Sequence, residues 1–137
     1  MKLSVKSDYA SRAVLGLARH FHTAQAVKVE DLAAEFGIPP NYLVQILIEL
    51  KSQNIVKSLR GKEGGYMLAR PPAEVSLGDI LCAVHGQVFD SPALTDPQCP
   101  PELGKAWALL QQTLDKTANT INFQRLLEES AEKMYYI

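Results

Sequence analysis

The chain has 137 residues, 47% of them hydrophobic and 21% charged, with a formal net charge of −1; this is the length of one domain with an appended dimerisation element, and enough to bury a core. No apolar run reaches the ~18–20 residues of a membrane span and no signal peptide is read at the start, while two cysteines, Cys82 and Cys99, are too few for a disulfide framework, so a reducing cytoplasm is the expected compartment. The charge is uneven: residues 1–75 hold ten Lys/Arg against seven Asp/Glu (+3) and residues 76–137 four against eight (−4), which admits an anionic partner for the first half only.

Residues 7–21 carry Tyr9, Ala10, Ala13, Val14, Leu17, Ala18 and Phe21 at helical spacing, with Ser7 or Asp8 as the expected N-cap. A connector follows, with a short strand expected over residues 26–29. A second helix is expected over residues 30–36, ended by Gly37. A third starts near Pro40, since proline is tolerated in a first turn. Its buried stripe is Leu43, Ile46, Leu47 and Leu50, which leaves Asn41, Tyr42, Val44, Gln45, Ile48 and Lys51 nearer the outer face. Two short helices joined by a tight glycine-containing turn form the helix-turn-helix pattern.

Next, "IVKSL" and "GYMLA" read as strands around Gly61, Gly64 and Gly65, a hairpin with Lys57, Arg60, Lys62 and Arg70 supplying positive charge. A basic hairpin directly after a helix-turn-helix is the winged-helix order. Glycine lets the backbone approach a surface closely, and Arg60 and Lys62 can then reach phosphates or a narrow minor groove; a merely solvated turn is the weaker reading in this context. Ser76 and Asp79 resemble a capping box that opens a fourth helix over residues 77–85. Residues 86–101, "GQVFDSPALTDPQCPP", lack periodicity and form a loop long enough to be functional. Leu103, Ala106, Leu110, Leu114, Thr117 and Ile121 then give a long helix an apolar face, whose expected partner is the same helix of a second subunit. Asn122 is the expected cap of a short final helix, and the terminal "EKMYYI" carries no signal. The expected fold class is mainly α: a winged helix-turn-helix domain over residues 1–75 with a two-stranded β wing, then residues 76–137 with the fourth helix, a sensor-type loop and a long C-terminal dimerisation helix.

The stretches "MKLSVKSDYASRAVLGLA", "DLAAEFGIPPNYLVQILIEL", "RGKEGGYMLARPPAEVSLGDIL" and "QTLDKTANTINFQRLLEE", in order and at family-like distances, resemble the Rrf-two family of bacterial winged-helix regulators over nearly the whole chain. The resemblance implies a homodimer on palindromic promoter DNA, each third helix in a major groove and each wing at the flanking minor groove. Carried over by position, Asn41, Tyr42, Val44 and Gln45 face base edges or adjacent phosphates. Gln45 is the candidate for direct readout, because a carboxamide makes a two-point contact with adenine; Val44, where the family often has a polar residue, would meet a thymine methyl. Ser4, Lys6, Ser7 and Tyr9 become phosphate contacts beside a helix N-terminus, and Arg60 and Lys62 the wing contacts. Core packing competes for Tyr9 and Tyr42, plain solvation for Lys6 and a carboxylate partner for Arg60.

Many members of that family hold an iron–sulfur cluster on three loop cysteines, and cluster irons need thiolate-rich ligation. This loop offers Cys99 alone, about where the family's last cysteine falls. Cys82, inside the fourth helix, reads as a small buried hydrophobe, and His20, His22 and His85 make no zinc spacing. The expectation is therefore no cofactor and no iron–sulfur cluster. The signal is then a small molecule, a partner protein or oxidation of Cys99, although the acidic neighbours Asp96 and Glu102 weigh against a reactive thiolate. The sequence thus points to a sequence-specific transcription regulator, expected to be a repressor, whose partners are double-stranded DNA, a second copy and an effector, with no membrane. Two readings compete: a winged-helix protein-interaction module, and a cluster- or thiol-based redox sensor using Cys99. No catalytic arrangement with its supporting motif is present, so an enzyme is not expected.

Overall fold

The computed structural model describes residues 2–135, with side chains described through residue 131; Tyr136 and Ile137, the end of the "EKMYYI" stretch, lie outside the described residues. The first helix, α1 (Val5–Arg19), is capped by Ser4, whose backbone is extended and whose hydroxyl accepts from the Ser7 amide at 3.1 Å. The helix therefore begins earlier than expected, and neither Ser7 nor Asp8 is its cap. It leaves helical geometry at His20, so Phe21 falls in a separate 3-10 turn, Phe21–Thr23. Ala10, Ala13, Val14, Leu17 and Ala18 are all buried. Small side chains on that face let α1 serve as the central post, packed by α2 (Val29–Phe36), α3 (Pro40–Ser52), α4 (Leu77–His85) and α6 (Phe123–Tyr135).

Lys28 already serves as the N-cap of α2, so the strand expected over residues 26–29 shrinks to one antiparallel bridge between Val27 and Tyr66, held by two 2.8 Å hydrogen bonds. Gly37 closes α2 as expected. In α3 the stripe Leu43, Ile46, Leu47 and Leu50 is fully buried. Strands β1 (Val56–Leu59) and β2 (Gly65–Leu68) pair antiparallel in a register running from Val56 opposite Leu68 to Leu59 opposite Gly65. The root of this hairpin is anchored by buried Val56 and Leu68, while Leu59 near its tip is 44% exposed.

The capping box at α4 forms as read: Ser76 Oγ accepts from the Asp79 amide at 3.1 Å and Asp79 Oδ2 from the Ser76 amide at 2.9 Å. The loop after α4 contains one 3-10 turn, Pro92–Thr95, and leads into α5 (Pro101–Thr120). Asn122 Oδ1 accepts from the Arg125 amide at 2.8 Å and so caps α6. The chain then folds back: α6 returns to α1, and Val75, Ile80 and Phe123 join the same hydrophobic cluster as Ala10, Leu43 and Leu68. A boundary after residue 75 divides the sequence but not the core. Among the described residues no helix is long and apolar enough to cross a membrane.

Candidate nucleic-acid interface

Burial of one stripe of α3 turns the opposite face outward. Asn41, Tyr42, Val44, Gln45 and Ile48 are all exposed. Helix α1 extends this surface at its side: the Tyr9 ring meets the Tyr42 ring edge-on at 5.7 Å, and Lys6 Nζ lies 2.7 Å from Glu49 Oε1. Tyr9 is half-buried in that stack, so it packs and lines the surface at once. Lys6 is not a free cation but half of an ion pair, which a phosphate would have to displace or join. A partly exposed pair of this kind contributes about 1 kcal/mol or less, so exchange for a phosphate is cheap.

Sequence reasoning missed Arg12. Its guanidinium donates to the Phe36 carbonyl at 3.0 Å and to Asp8 Oδ2 at 2.8 Å, and lies 5.3 Å from the centre of the Tyr9 ring. Arg12 thereby fixes α1 against the turn that separates α2 from α3. The Asp8–Arg12 spacing, one helical turn, was the available signal.

The hairpin is tied to the same surface by Lys51, which donates to Ser58 Oγ at 2.8 Å. At its tip Gly61 has φ 101°, a left-handed geometry that favours glycine, and its carbonyl accepts from the Gly64 amide at 3.0 Å. Arg60 and Lys62 flank that turn, exposed and without an ion pair among the described residues. Lys57 is exposed on β1. Arg70 is not part of this charge: it lies beside Asp79 at the start of α4, 3.9 Å away.

Two expected positions change role. Ser7 is 1% exposed, and its hydroxyl contacts Ser4 Oγ at 2.9 Å and His85 Nε2 at 2.8 Å. Burial removes it from direct phosphate contact, and half-buried Ser4 is engaged in the same cluster. The apolar set on α5 also divides. Leu103, Ala106 and Leu110 are exposed, with Leu109 beside them at 65%. Leu114 and Ile121 are half-buried and, with exposed Thr117, line a cleft against α4 and α1. Packing of α5 on α4 partly covers Leu114 and Ile121 and leaves the first half of the stripe bare.

Cys82 is exposed, not buried: it lies on the outer side of α4, while Ile80 faces the core. Cys99 is half-buried, its Sγ 3.6 Å from the Pro100 carbonyl. Among the described residues no group of three or more His, Cys, Asp or Glu side chains is placed to hold a metal ion.

The family model described as Rrf2, iron-dependent transcriptional regulator, matches residues 3–129. A protein of Mycobacterium tuberculosis named as an HTH-type transcriptional regulator is 48% identical over 86 residues, which are 63% of this chain and 53% of that protein; the match thus spans about half the length of that relative. One of Synechocystis with the same kind of name is 38% identical over 110 residues, 80% of this chain and 72% of that protein. Among solved structures, T. potens IscR matches with a TM-score of 0.80 at 28% identity, over 97% of this chain and 90% of that one.

Proposed function

Because the chain belongs to the Rrf2 family of DNA-binding transcription regulators, we propose that it binds promoter DNA as a homodimer, with α3 in the major groove, and acts as a repressor that needs no iron–sulfur cluster. The observation that carries this reading is the continuous surface of α3, the first turns of α1 and the wing. Asn41 and Gln45 stand exposed on α3, and Arg60 and Lys62, without an ion pair among the described residues, stand exposed at the tip of the hairpin that Lys51 joins to it. Gln45 has the bidentate donor and acceptor that adenine requires, and Val44 an apolar surface for a thymine methyl. The wing cations supply contacts that hold the protein on the phosphates without reading sequence.

The bare half of α5 supports the dimer. Leu103, Ala106, Leu109 and Leu110 leave an apolar strip in solvent, and a second copy of the strip covers it under two-fold symmetry. A two-fold dimer reads a two-fold site. Selection from a random duplex library is therefore expected to enrich an inverted repeat with half-site centres about one helical turn, or a multiple of it, apart. Enrichment of a single half-site, or of no sequence at all, contradicts the proposal. On a promoter holding the selected repeat, added protein is expected to reduce transcription in vitro.

The cofactor reading has its own test, since the family model is described as iron-dependent. Protein purified without oxygen is expected to be colourless, with iron and acid-labile sulfide far below one cluster per chain. A brown protein with stoichiometric iron and sulfide overturns that part of the reading, and Cys82, Cys99 and His85 become the ligands to mutate.

A further inference from the structure

A cleft of about 420 Å³ opens between the first turn of α1, α4 and the second half of α5, within the size range of small-molecule sites. Leu77, Leu81, Leu114 and Ile121 wall it, with Val88 from the loop after α4. Its polar lining includes Lys2, Ser4, Ser7 and His85, and among the described residues no Asp or Glu lines it. An apolar chamber with a donor-rich, cationic corner matches a ligand with an apolar body and an anionic head.

With the ring proton on Nε2 of His85, the corner itself is short of an acceptor. Ser4 Oγ donates to Ser7 Oγ at 2.9 Å, and His85 Nε2 lies 2.8 Å from each of these oxygens. If Nε2 carries the ring proton, it serves both oxygens and Ser4 donates to Ser7; the Ser7 hydroxyl proton then has no acceptor in the triangle. If Nε2 is bare, one of the three contacts contains no proton. In the Nε2-protonated form the Ser7 hydroxyl, 1% exposed and on the cleft wall, keeps a donor free for a molecule in the cleft, and leaving a buried donor unmet is unfavourable. A carboxylate brings acceptors only.

We propose that this cleft binds a small amphipathic carboxylic acid, its carboxylate on the Ser4, Ser7, His85 and Lys2 corner and its hydrocarbon body along Leu77, Leu81 and Leu114. The site is coupled to the DNA surface through α1. Ser4 is the N-cap of that helix, and Lys6 and Tyr9 follow within its first turns. A carboxylate that draws the Ser4 hydroxyl away from the Ser7 amide loosens the turn that holds both residues in place. This coupling, unlike the binding itself, rests on the DNA-binding reading above.

The test is calorimetric titration of the full chain, without DNA, with octanoate and with 3-phenylpropanoate, each beside its uncharged amide. Saturable binding of at least one acid at a single site per chain is expected, weakened about tenfold or more in the amide and in His85→Ala, as loss of charge-assisted hydrogen bonds requires. Val88→Trp, which fills the chamber from the loop and leaves the polar corner intact, is expected to weaken it as well. Circular dichroism establishes that both variants remain folded, and two variants at different sites keep the test meaningful if one does not. No saturable binding of either acid, equal binding of acid and amide, or binding indifferent to both variants overturns the proposal. Repeating the titration on the protein–DNA complex separates the two claims. An acid that binds the free chain and changes DNA affinity supports both; one that binds a chain with no affinity for DNA leaves the cleft standing and removes the DNA reading.

Discussion

Phe123→Ala is expected to destabilise the protein by about 3–5 kcal/mol, the range for truncating a buried phenylalanine, out of a total of roughly 5–15 kcal/mol for a domain. Phe123 is 1% exposed and belongs to the same cluster as the α1 and α3 core residues. Its amide donates to the Val75 carbonyl at 3.0 Å, and the Leu77 amide donates to the Ile121 carbonyl at 2.9 Å. This one side chain therefore holds the α5–α6 junction against the root of α4 and brings α6 back onto α1. Urea unfolding measures the effect. A loss below about 1 kcal/mol, which is typical of surface positions, shows that α6 is not docked on the core in solution.

The second large effect is on the wing. Gly65 has φ 152°, and a Cβ there would overlap the Val27 carbonyl oxygen and lie 2.7 Å from the Val27 carbonyl carbon. Both obstacles are backbone, and both belong to the bridge that joins Val27 to Tyr66. Gly65→Ala must break that bridge or shift β2, at about 1–3 kcal/mol for the unfavourable backbone alone and more for the overlap. The helical core does not depend on Gly65, so far-ultraviolet helicity is expected to remain while DNA affinity falls with the displaced wing. Unchanged DNA affinity in a folded Gly65→Ala protein would mean that the hairpin does not take part in binding.

The elements that local pattern determines were legible. Leu43, Ile46, Leu47 and Leu50 recur at the helical period and are all buried; Gly37 and the Ser76–Asp79 pair mark their helix ends by chemistry that reaches only a few residues. What failed depended on distant chain. Ser4, Ser7 and Asp8 are all cap-forming residue types, and nothing local separates them. Ser7 is withdrawn from the surface by α1 packing and by His85, 78 residues away in sequence. Cysteine's general tendency toward burial does not say which side of α4 position 82 faces. On α5, helical spacing alone joins Leu103 to Ile121 in one stripe, whereas docking on α4 partly covers only Leu114 and Ile121, and Leu109, which the stripe omitted, stands exposed beside Leu103 and Leu110. The wing was legible as a hairpin, but its third contact at Val27 was expected as a strand; the α2 cap at Lys28 leaves room for one bridge.

The most direct test of the DNA reading is the salt dependence of binding to duplex DNA, measured for the native chain and for the Arg60→Ala/Lys62→Ala double variant. Each phosphate contact contributes about 0.9 to the slope of log affinity against log salt. The native chain is expected to lose affinity steeply as salt rises, and the double variant to bind more weakly with a slope shallower by about 1.8 if both cations meet phosphates. Binding that is insensitive to salt, or a slope unchanged by removing both cations, would contradict a wing placed on DNA.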